Sequence, residues 1–434
     1  MSNPIHSTSA KSVLPMLAMR GLATGLCAGC VVGLLRLSHD RAAARVALWL
    51  EEWREVWWTV PIWFGVLVAL AVILRRIVRE EPLISGSGIP QTELALAGRL
   101  SFTWWRVLLA KFLGSWLALF GGLALGREGP SIQMGGAVGA GFHALWRPAA
   151  PHALTGSPYV VAGAVAGLAA AFGAPAAGVL FAFEEMKSRR DTSLIVAACA
   201  SAIGAHPMIR IVFGMGRILP FAGFEAPPLS SFWIVALEGA VFGVLGVGYN
   251  KTLLWLHDRE AGQTLIPDRW RALPPLLLAG CLALFAPLLI GGGESLIIFV
   301  GEHDVALKTL ILLLAFKYLF AQYSTVAAIP GGLLMPILCL GALWGRLWAE
   351  LPVSALAAHG LASGSVQPYV LFGMVSYFAA TVRAPLTGIV LVTEMSGTYT
   401  CLPGSLLAGL IACKVANLLH CPPVYDSLKE RIRL

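Results

Sequence analysis

Charged side chains are scarce in this sequence. Asp, Glu, Lys and Arg make up 12% of the 434 residues, whereas apolar residues make up 57%. A water-soluble protein of this size needs a larger polar surface to cover itself. The scarcity of charge excludes an ordinary soluble fold and predicts an all-α integral membrane protein whose solvent is largely lipid.

The sequence also lacks the spacings that bind metals or build common catalytic sites. Its nine histidines form no H-E-x-x-H pair, and there is no G-x-S-x-G. The eight cysteines are scattered, and the C-x-x-C of Cys27 and Cys30 lies in an apolar run, as packing residues do. We therefore expect no metal, no cofactor and no enzyme activity.

The chain has no polar stretch long enough to form the basic face of a nucleic-acid-binding domain, despite a formal charge of +8. Its basic residues lie instead at the ends of apolar segments. Clusters occur at Arg75, Arg76 and Arg79, at Lys187 to Arg190, and at Lys429 to Arg433. This pattern predicts anchoring of those ends on the cytoplasmic side.

Long apolar segments recur from one end of the chain to the other, and they predict roughly ten or more helical passes. Several are too short, or too interrupted by Gly and Pro, to be simple spans. Such discontinuous helices build the midplane sites of transporters. The segments lie around residues 57–74, 105–125, 157–183, 231–256, 273–291, 308–321, 368–393 and 402–419.

Both ends of the chain are expected in the cytoplasm. Met1 to Lys11 is polar, and the apolar segment after it carries Arg20 without a small-residue cleavage site, which argues against a removed signal peptide. We predict a cytoplasmic N-terminal segment at 1–14 and a short cytoplasmic tail at 426–434. Neither end leaves room for a soluble regulatory domain.

An internal repeat appears at an offset of 210 residues: residues 158–184 match residues 368–394 without gaps. The same offset aligns Gly121 to Leu123 with Gly331 to Leu333, so we expect it to hold across most of each half. The predicted repeats are 15–220 and 221–425. The main matches are Pro158 with Pro368, Tyr159 with Tyr369, Gly163 with Gly373, Pro175 with Pro385, and Glu184 with Glu394.

The two matching segments end differently. The first continues into the basic run that ends at Arg190, whereas the second continues into Met395 to Tyr399, which carries no charge. By the positive-inside rule only the first need end in the cytoplasm, which favours inverted repeats with a substrate site at their interface.

Glu128 is the clearest candidate for function, since an ionisable residue among apolar segments is energetically unfavourable. It lies in the G-R-E-G-P of residues 126–130, where glycines let amides face an anion and Pro130 can start a helix. A helix N-terminus attracts anions, and a carboxylate beside it competes for the same place. The alternative is an Arg127–Glu128 ion pair that closes a turn.

Two further glycine-rich breaks precede apolar runs. In the first, residues 85–90, Ser87 could donate its hydroxyl to an anion or could simply cap the following helix. The second, residues 330–336, offers free backbone amides before Pro336.

Together these motifs resemble the CLC chloride channels and transporters. The resemblance rests on G-S-G-I-P at 86–90, G-R-E-G-P at 126–130, G-G-x-x-x-P at 331–336 and the late Tyr425, and it covers roughly residues 15–430. It implies a CLC-like fold of two inverted-topology repeats with many tilted, broken helices. It also implies a homodimer in lipid, in the inner membrane of a bacterium, that carries chloride and protons.

The resemblance also implies roles for individual residues. Ser87 and Tyr425 would donate hydroxyls to chloride, Leu333 and Leu334 would donate backbone amides, and Glu128 would be the external gating glutamate. The loops expected to surround the anion contain Gly86, Gly88, Ile89, Pro90, Gly126, Arg127, Gly129, Pro130, Gly331 and Gly332.

Glu185 separates two functions. Exchangers of the family look to carry an internal proton acceptor there, which favours chloride/proton antiport over a passive, proton-gated chloride channel. Glu184 has a repeat counterpart in Glu394, so we expect an architectural role for both. Glu185 aligns with Met395 and has no such counterpart. The alternative for Glu185 is a solvated glutamate at a helix end.

The chain departs from the family pattern at two places. Leu333, Leu334 and Met335 stand where Ile-Phe-Ala is usual, and Gln91 stands where many relatives have Glu. Ser87 itself favours chloride, because nitrate-preferring relatives carry Pro there and fluoride exporters carry Asn. A purely structural membrane scaffold would not need glutamates beside broken helices.

Overall fold

The computed structural model describes residues 6–52, 56, 58–187, 191–221, 224, 226–358 and 366–432. Parts of the predicted basic run (188–190) and of the terminal segments (1–5, 433–434) lie outside the described residues. Within the described part, α-helices dominate, and one isolated antiparallel bridge joins Gly126 to Gly332.

The helices of the first half of the chain are α1 His6–Glu52, α2 Thr59–Glu80, α3 Ile89–Leu96, α4 Trp104–Phe120, α5 Glu128–Trp146, α6 Pro158–Phe172, α7 Pro175–Glu184 and α8 Thr192–Pro207. Those of the second half are α9 Phe232–Gly262, α10 Leu273–Phe285, α11 Glu294–Glu302, α12 Leu307–Val326, α13 Leu334–Trp348, α14 Ser354–Ala358, α15 Gln367–Val382, α16 Pro385–Ser396, α17 Leu402–Leu418 and α18 Val424–Glu430.

Seven helical segments of the described chain are long and apolar enough to cross a membrane, and α6, α7 and α16 are shorter apolar helices. The chain is therefore a multi-pass integral membrane protein. The seven segments are Leu14–Val46, Thr59–Glu80, Thr192–Val212, Leu229–Gly262, Leu307–Val326, Leu334–Ala357 and Tyr399–Leu418.

Two of the apolar segments are interrupted, in keeping with the general expectation of broken helices. The segment at 157–183 splits into α6 and α7, and the one at 368–393 splits into α15 and α16. The chain turns at Gly173 and at Arg383, with φ of 65° and 70°. A proline then begins each new helix, where its missing N–H leaves no bond unmade.

Glycines let the central helices pack backbone to backbone. A Cβ on Gly135 of α5 would meet the Gly163 carbonyl oxygen of α6 at 2.0 Å. A Cβ on Gly341 of α13 would meet the Gly373 carbonyl oxygen of α15 at 2.6 Å. Small residues allow this close approach in membrane helices. The two halves thus repeat the same helix pair.

The expected constant offset of 210 residues is wrong for the earlier part of each half. In the first half, α5 begins at Glu128 and α6 at Pro158, which are 30 positions apart. In the second half, α13 begins at Leu334 and the matching segment at Pro368, which are 34 positions apart. Before this insertion the offset is 206. The equivalent pairs are Lys111 with Lys317, Gly126 with Gly332, Glu128 with Leu334, and Gly135 with Gly341.

The corrected register explains the bridge at the centre of the molecule. Gly126 and Gly332 are equivalent positions, and each donates its N–H to the other's carbonyl at 2.7 Å. Because the bridge joins equivalent residues antiparallel, the two repeats run in opposite directions where they meet. Gly121 to Leu123 therefore does not correspond to Gly331 to Leu333, despite the matching letters.

Candidate anion and proton site

Three helices begin around the central bridge: α3 at Ile89, α5 at Glu128 and α13 at Leu334. Their preceding loops are joined directly, since the Gly331 N–H donates to the Gly86 carbonyl at 3.0 Å. Helix N-termini carry free amides and a partial positive charge. The space that these helix starts surround, the gap, is therefore a place that favours an anion.

The glycines of these loops are required by close contacts. A Cβ on Gly129 would lie 2.8 Å from the Cβ of Ser87, and a Cβ on Gly332 would lie 2.9 Å from the Gly129 nitrogen. Gly86 and Gly88 have φ of 65° and 90°, which favour glycine. The glycine-rich breaks that the sequence predicted are therefore needed so that the loops can pack closely and turn before the three helices.

The carboxylate of Glu128 turns back into this gap. A Cβ on Gly126 would meet its Oε2 at 1.9 Å, and one on Gly332 would meet it at 3.3 Å. The residue is 2% exposed, and Oε2 has no hydrogen-bond partner within the described residues. The carboxylate therefore lies just before the N-terminus of α13.

Arg127 points away from Glu128, so the alternative of an Arg127–Glu128 ion pair is wrong. Its guanidinium is buried and donates to Asp40 of α1 and to Glu294 at the start of α11, each at 3.0 Å. Two separate carboxylates satisfy its charge. Glu128 is left without a bonded counter-charge.

The predicted chloride-binding residues lie around the same gap. The Ser87 Oγ accepts the Ile89 N–H at 3.2 Å, at the first residue of α3, and within the described residues its own O–H has no acceptor. Leu333 and Leu334 are buried at the start of α13. Tyr425 packs into the same core, and its buried hydroxyl has no partner within the described residues.

Glu185 lies at the end of α7 and is only 5% exposed, so the alternative of a solvated helix-end charge is wrong. Tyr425 is within electrostatic range of both Glu185 and Glu128.

A network of ion pairs surrounds Glu185 on the side of α18. Lys429 donates to Glu93 of α3 at 2.5 Å and to Asp426 at 3.0 Å, and Lys187 donates to Asp426 at 2.7 Å. These four charged groups act electrostatically on Glu185. The buried carboxyl of Glu185 therefore lies beside charged groups of α3 and α18.

Two buried lysines that sequence reasoning did not single out support the loops. The Lys111 ammonium donates to the carbonyls of Ile84 and Gly86, both at 2.7 Å. Lys317 donates to Leu289 at 2.9 Å and to Gly291 at 2.7 Å. A lysine inside an apolar run was the available signal for both.

Comparisons with known proteins agree with this geometry. The family described as voltage gated chloride channel matches residues 64–417. The chain belongs to this family, the CLC family. It is 35% identical over 416 residues to the H(+)/Cl(-) exchange transporter ClcA of Vibrio campbellii, covering 93% of this chain and 87% of that one. It is 31% identical to the ClcA of Klebsiella pneumoniae, over 97% of this chain and 89% of that one.

Solved CLC structures share the fold. A slow cyanobacterial Cl-/H+ antiporter superposes with a TM-score of 0.86 at 28% identity, covering 95% of this chain and 97% of that one. A CLC-type fluoride/proton antiporter superposes with a TM-score of 0.71 at 18% identity, covering 95% and 98% of the two chains. The CLC-like fold of inverted repeats predicted from the motifs is confirmed.

Proposed function

We propose that this CLC protein is a secondary active antiporter that exchanges chloride for protons. The observation that carries the proposal is that Glu128 and Glu185, two of the buried carboxyl groups, both lie within electrostatic range of the Tyr425 hydroxyl. Relatives named as H(+)/Cl(-) exchange transporters support the same function.

Chloride is held by helix N-termini and hydroxyl groups. Ser87 and Tyr425 donate O–H, and Leu333 and Leu334 donate N–H, which together replace part of the ion's hydration shell without a full positive charge. Weak, multiple donors suit transport, since the ion must also leave.

Glu128 acts as the external gating and proton-carrying glutamate. When ionised, its carboxylate competes with chloride for the gap before α13; when protonated, it loses its charge and leaves that gap to the anion. The Glu128 carboxylate and chloride cannot occupy the gap at the same time. Protonation of Glu128 and movement of chloride therefore become linked.

Glu185 acts as the internal proton glutamate. It receives protons through the network of Lys187, Asp426, Lys429 and Glu93 and passes them toward Glu128. A passive channel needs no internal proton acceptor beside Tyr425 and the charged groups of α18, so Glu185 favours exchange over the alternative of a proton-gated chloride channel.

The proposed setting is the inner membrane of a bacterium, with both termini in the cytoplasm and the chain in a homodimer. Positive charge supports the orientation: Lys187 pairs with Asp426 of α18, and Arg431, just beyond α18, pairs with Asp258 near the end of α9.

Uphill proton movement tests exchange against channel activity. Purified wild-type protein in liposomes, given a chloride gradient and no proton gradient, should move protons against their own gradient as chloride runs down. Chloride flux with no coupled protons would overturn antiport and leave the channel.

A further inference from the structure

A cavity of about 260 Å³ leads to Ser87 from the side of α18. Helices and loops from both halves of the chain form its wall. Polar lining comes from Ser87 and Gln91 of the first repeat, and from His257 of α9, Thr325 of α12 and Arg431 beyond α18. An anion that reaches Ser87 from this side crosses the cavity.

The one arginine in the lining is already neutralised. Arg431 donates from Nε and Nη2 to the two carboxylate oxygens of Asp258, at 2.8 and 2.9 Å. Such a two-pronged pair holds both charges in one place. Gln91 adds no charge, and its Nε2 is tied to the Ser85 carbonyl at 2.9 Å.

His257 is the remaining titratable side chain in the lining. Its Nδ1 is buried without a hydrogen bond, and the nearest Asp258 oxygen is 3.8 Å away. The elements packed around it bring Gln91, Thr325 and Arg431, of which only Arg431 is charged. Histidine ordinarily changes its charge between pH 5 and 8.

We propose that His257 controls anion access from this mouth of the pathway: its protonated ring attracts chloride into the cavity before Ser87, and its neutral ring does not. The inference rests on the proposed chloride pathway. It concerns the rate at which anions arrive, because a charge on the wall of a cleft concentrates anions there without touching the central site.

The test uses a Glu128→Gln parent, which removes the titration of the gate. Chloride flux through this parent in liposomes, at low chloride, should rise about three- to tenfold from about pH 7.5 to about pH 4.5. His257→Gln should remove that rise and keep the slow rate, whereas His257→Arg should keep the fast rate at both pH values. The change should appear in KM for chloride and leave the maximal rate unchanged.

His152→Gln is the matched control, since His152 is exposed in the segment between α5 and α6. Gln91→Glu, which adds a negative charge to the same lining, should slow the flux by a similar factor. A pH dependence that survives in both His257 variants overturns this inference alone. A parent that passes no chloride overturns the proposed function and this inference together.

Discussion

Glu184 of α7 caps the start of α16, and Glu394 of α16 caps the start of α7, so the two residues join the two repeats reciprocally. Glu184, at the end of α7, accepts the backbone N–H groups of Leu386 and Thr387 at 3.2 and 2.6 Å, at the start of α16. Glu394 of α16 accepts those of Ala176 and Ala177 at 3.2 and 2.9 Å, at the start of α7. The predicted architectural role of both residues is confirmed.

This reciprocal cap predicts matched losses of stability. Glu184→Ala and Glu394→Ala each leave two amides of a helix N-terminus without a charged acceptor, which should cost about 1–3 kcal/mol. Each should lower the midpoint of thermal unfolding in detergent relative to Glu302→Ala, an exposed control. Equal midpoints for all three variants would contradict the capping role.

The two buried lysines offer a matched pair of substitutions. Lys111→Met removes the ammonium donor of the Ile84 and Gly86 carbonyls behind Ser87, and of these two Gly86 keeps the Gly331 N–H. Lys317→Met removes the donor of Leu289 and Gly291 at the equivalent loop of the second repeat. Both should lower stability, by about 1–3 kcal/mol for each carbonyl left unpaired. Only Lys111→Met should also weaken chloride binding.

Isothermal titration of chloride, together with thermal unfolding of the same samples, separates the two effects. Equal weakening of chloride binding by both substitutions would contradict a special role for the loop at Gly86.

Gly126 leaves the space that the Glu128 carboxylate occupies. A Cβ there would lie 1.9 Å from Oε2 of Glu128, so Gly126→Ala should expel the carboxylate from the gap. Chloride flux should persist while its coupling to protons falls, as with Glu128→Gln. The control is Gly248→Ala in α9, whose added Cβ meets nothing within 4 Å. Normal coupling in Gly126→Ala would contradict the position assigned to the carboxylate.

A salt bridge between Arg75, near the end of α2, and Asp268, outside the spans, gives a pH-dependent contribution to stability. The Arg75 guanidinium donates to Asp268, between α9 and α10, and this bond lowers the pKa of that carboxyl. Because the folded-state pKa is below the unfolded value, the contribution is present above about pH 4 and is lost as pH falls further. Asp268→Asn should therefore destabilise near neutral pH by about 1 kcal/mol or less.

The thermal midpoints of the wild type and Asp268→Asn should converge as pH falls from about 6 to about 3, because protonation of Asp268 removes the same interaction. A difference that stays constant over this range would mean that the carboxylate charge does not contribute.

Local rules predicted much of the fold and part of the site. The sequence predicted that some apolar segments would be broken at Gly and Pro, because that effect is local, but it did not place the breaks that the structure shows before Pro175 and Pro385. The repeat offset failed earlier in the chain because four inserted residues between α13 and α15 change the register without changing the packing. The partners of Arg127 were out of reach, since Asp40 and Glu294 come from distant segments whose contact only the tertiary fold creates.

The role of Glu185 is the most direct test of proton coupling. Proton and chloride fluxes should be measured together in liposomes that hold the wild type, Glu185→Gln or the exposed control Glu302→Gln. We expect coupled fluxes in the wild type and in the control, and retained chloride flux with abolished proton flux in Glu185→Gln. Proton flux that persists in Glu185→Gln at the wild-type ratio to chloride would contradict the proposed pathway.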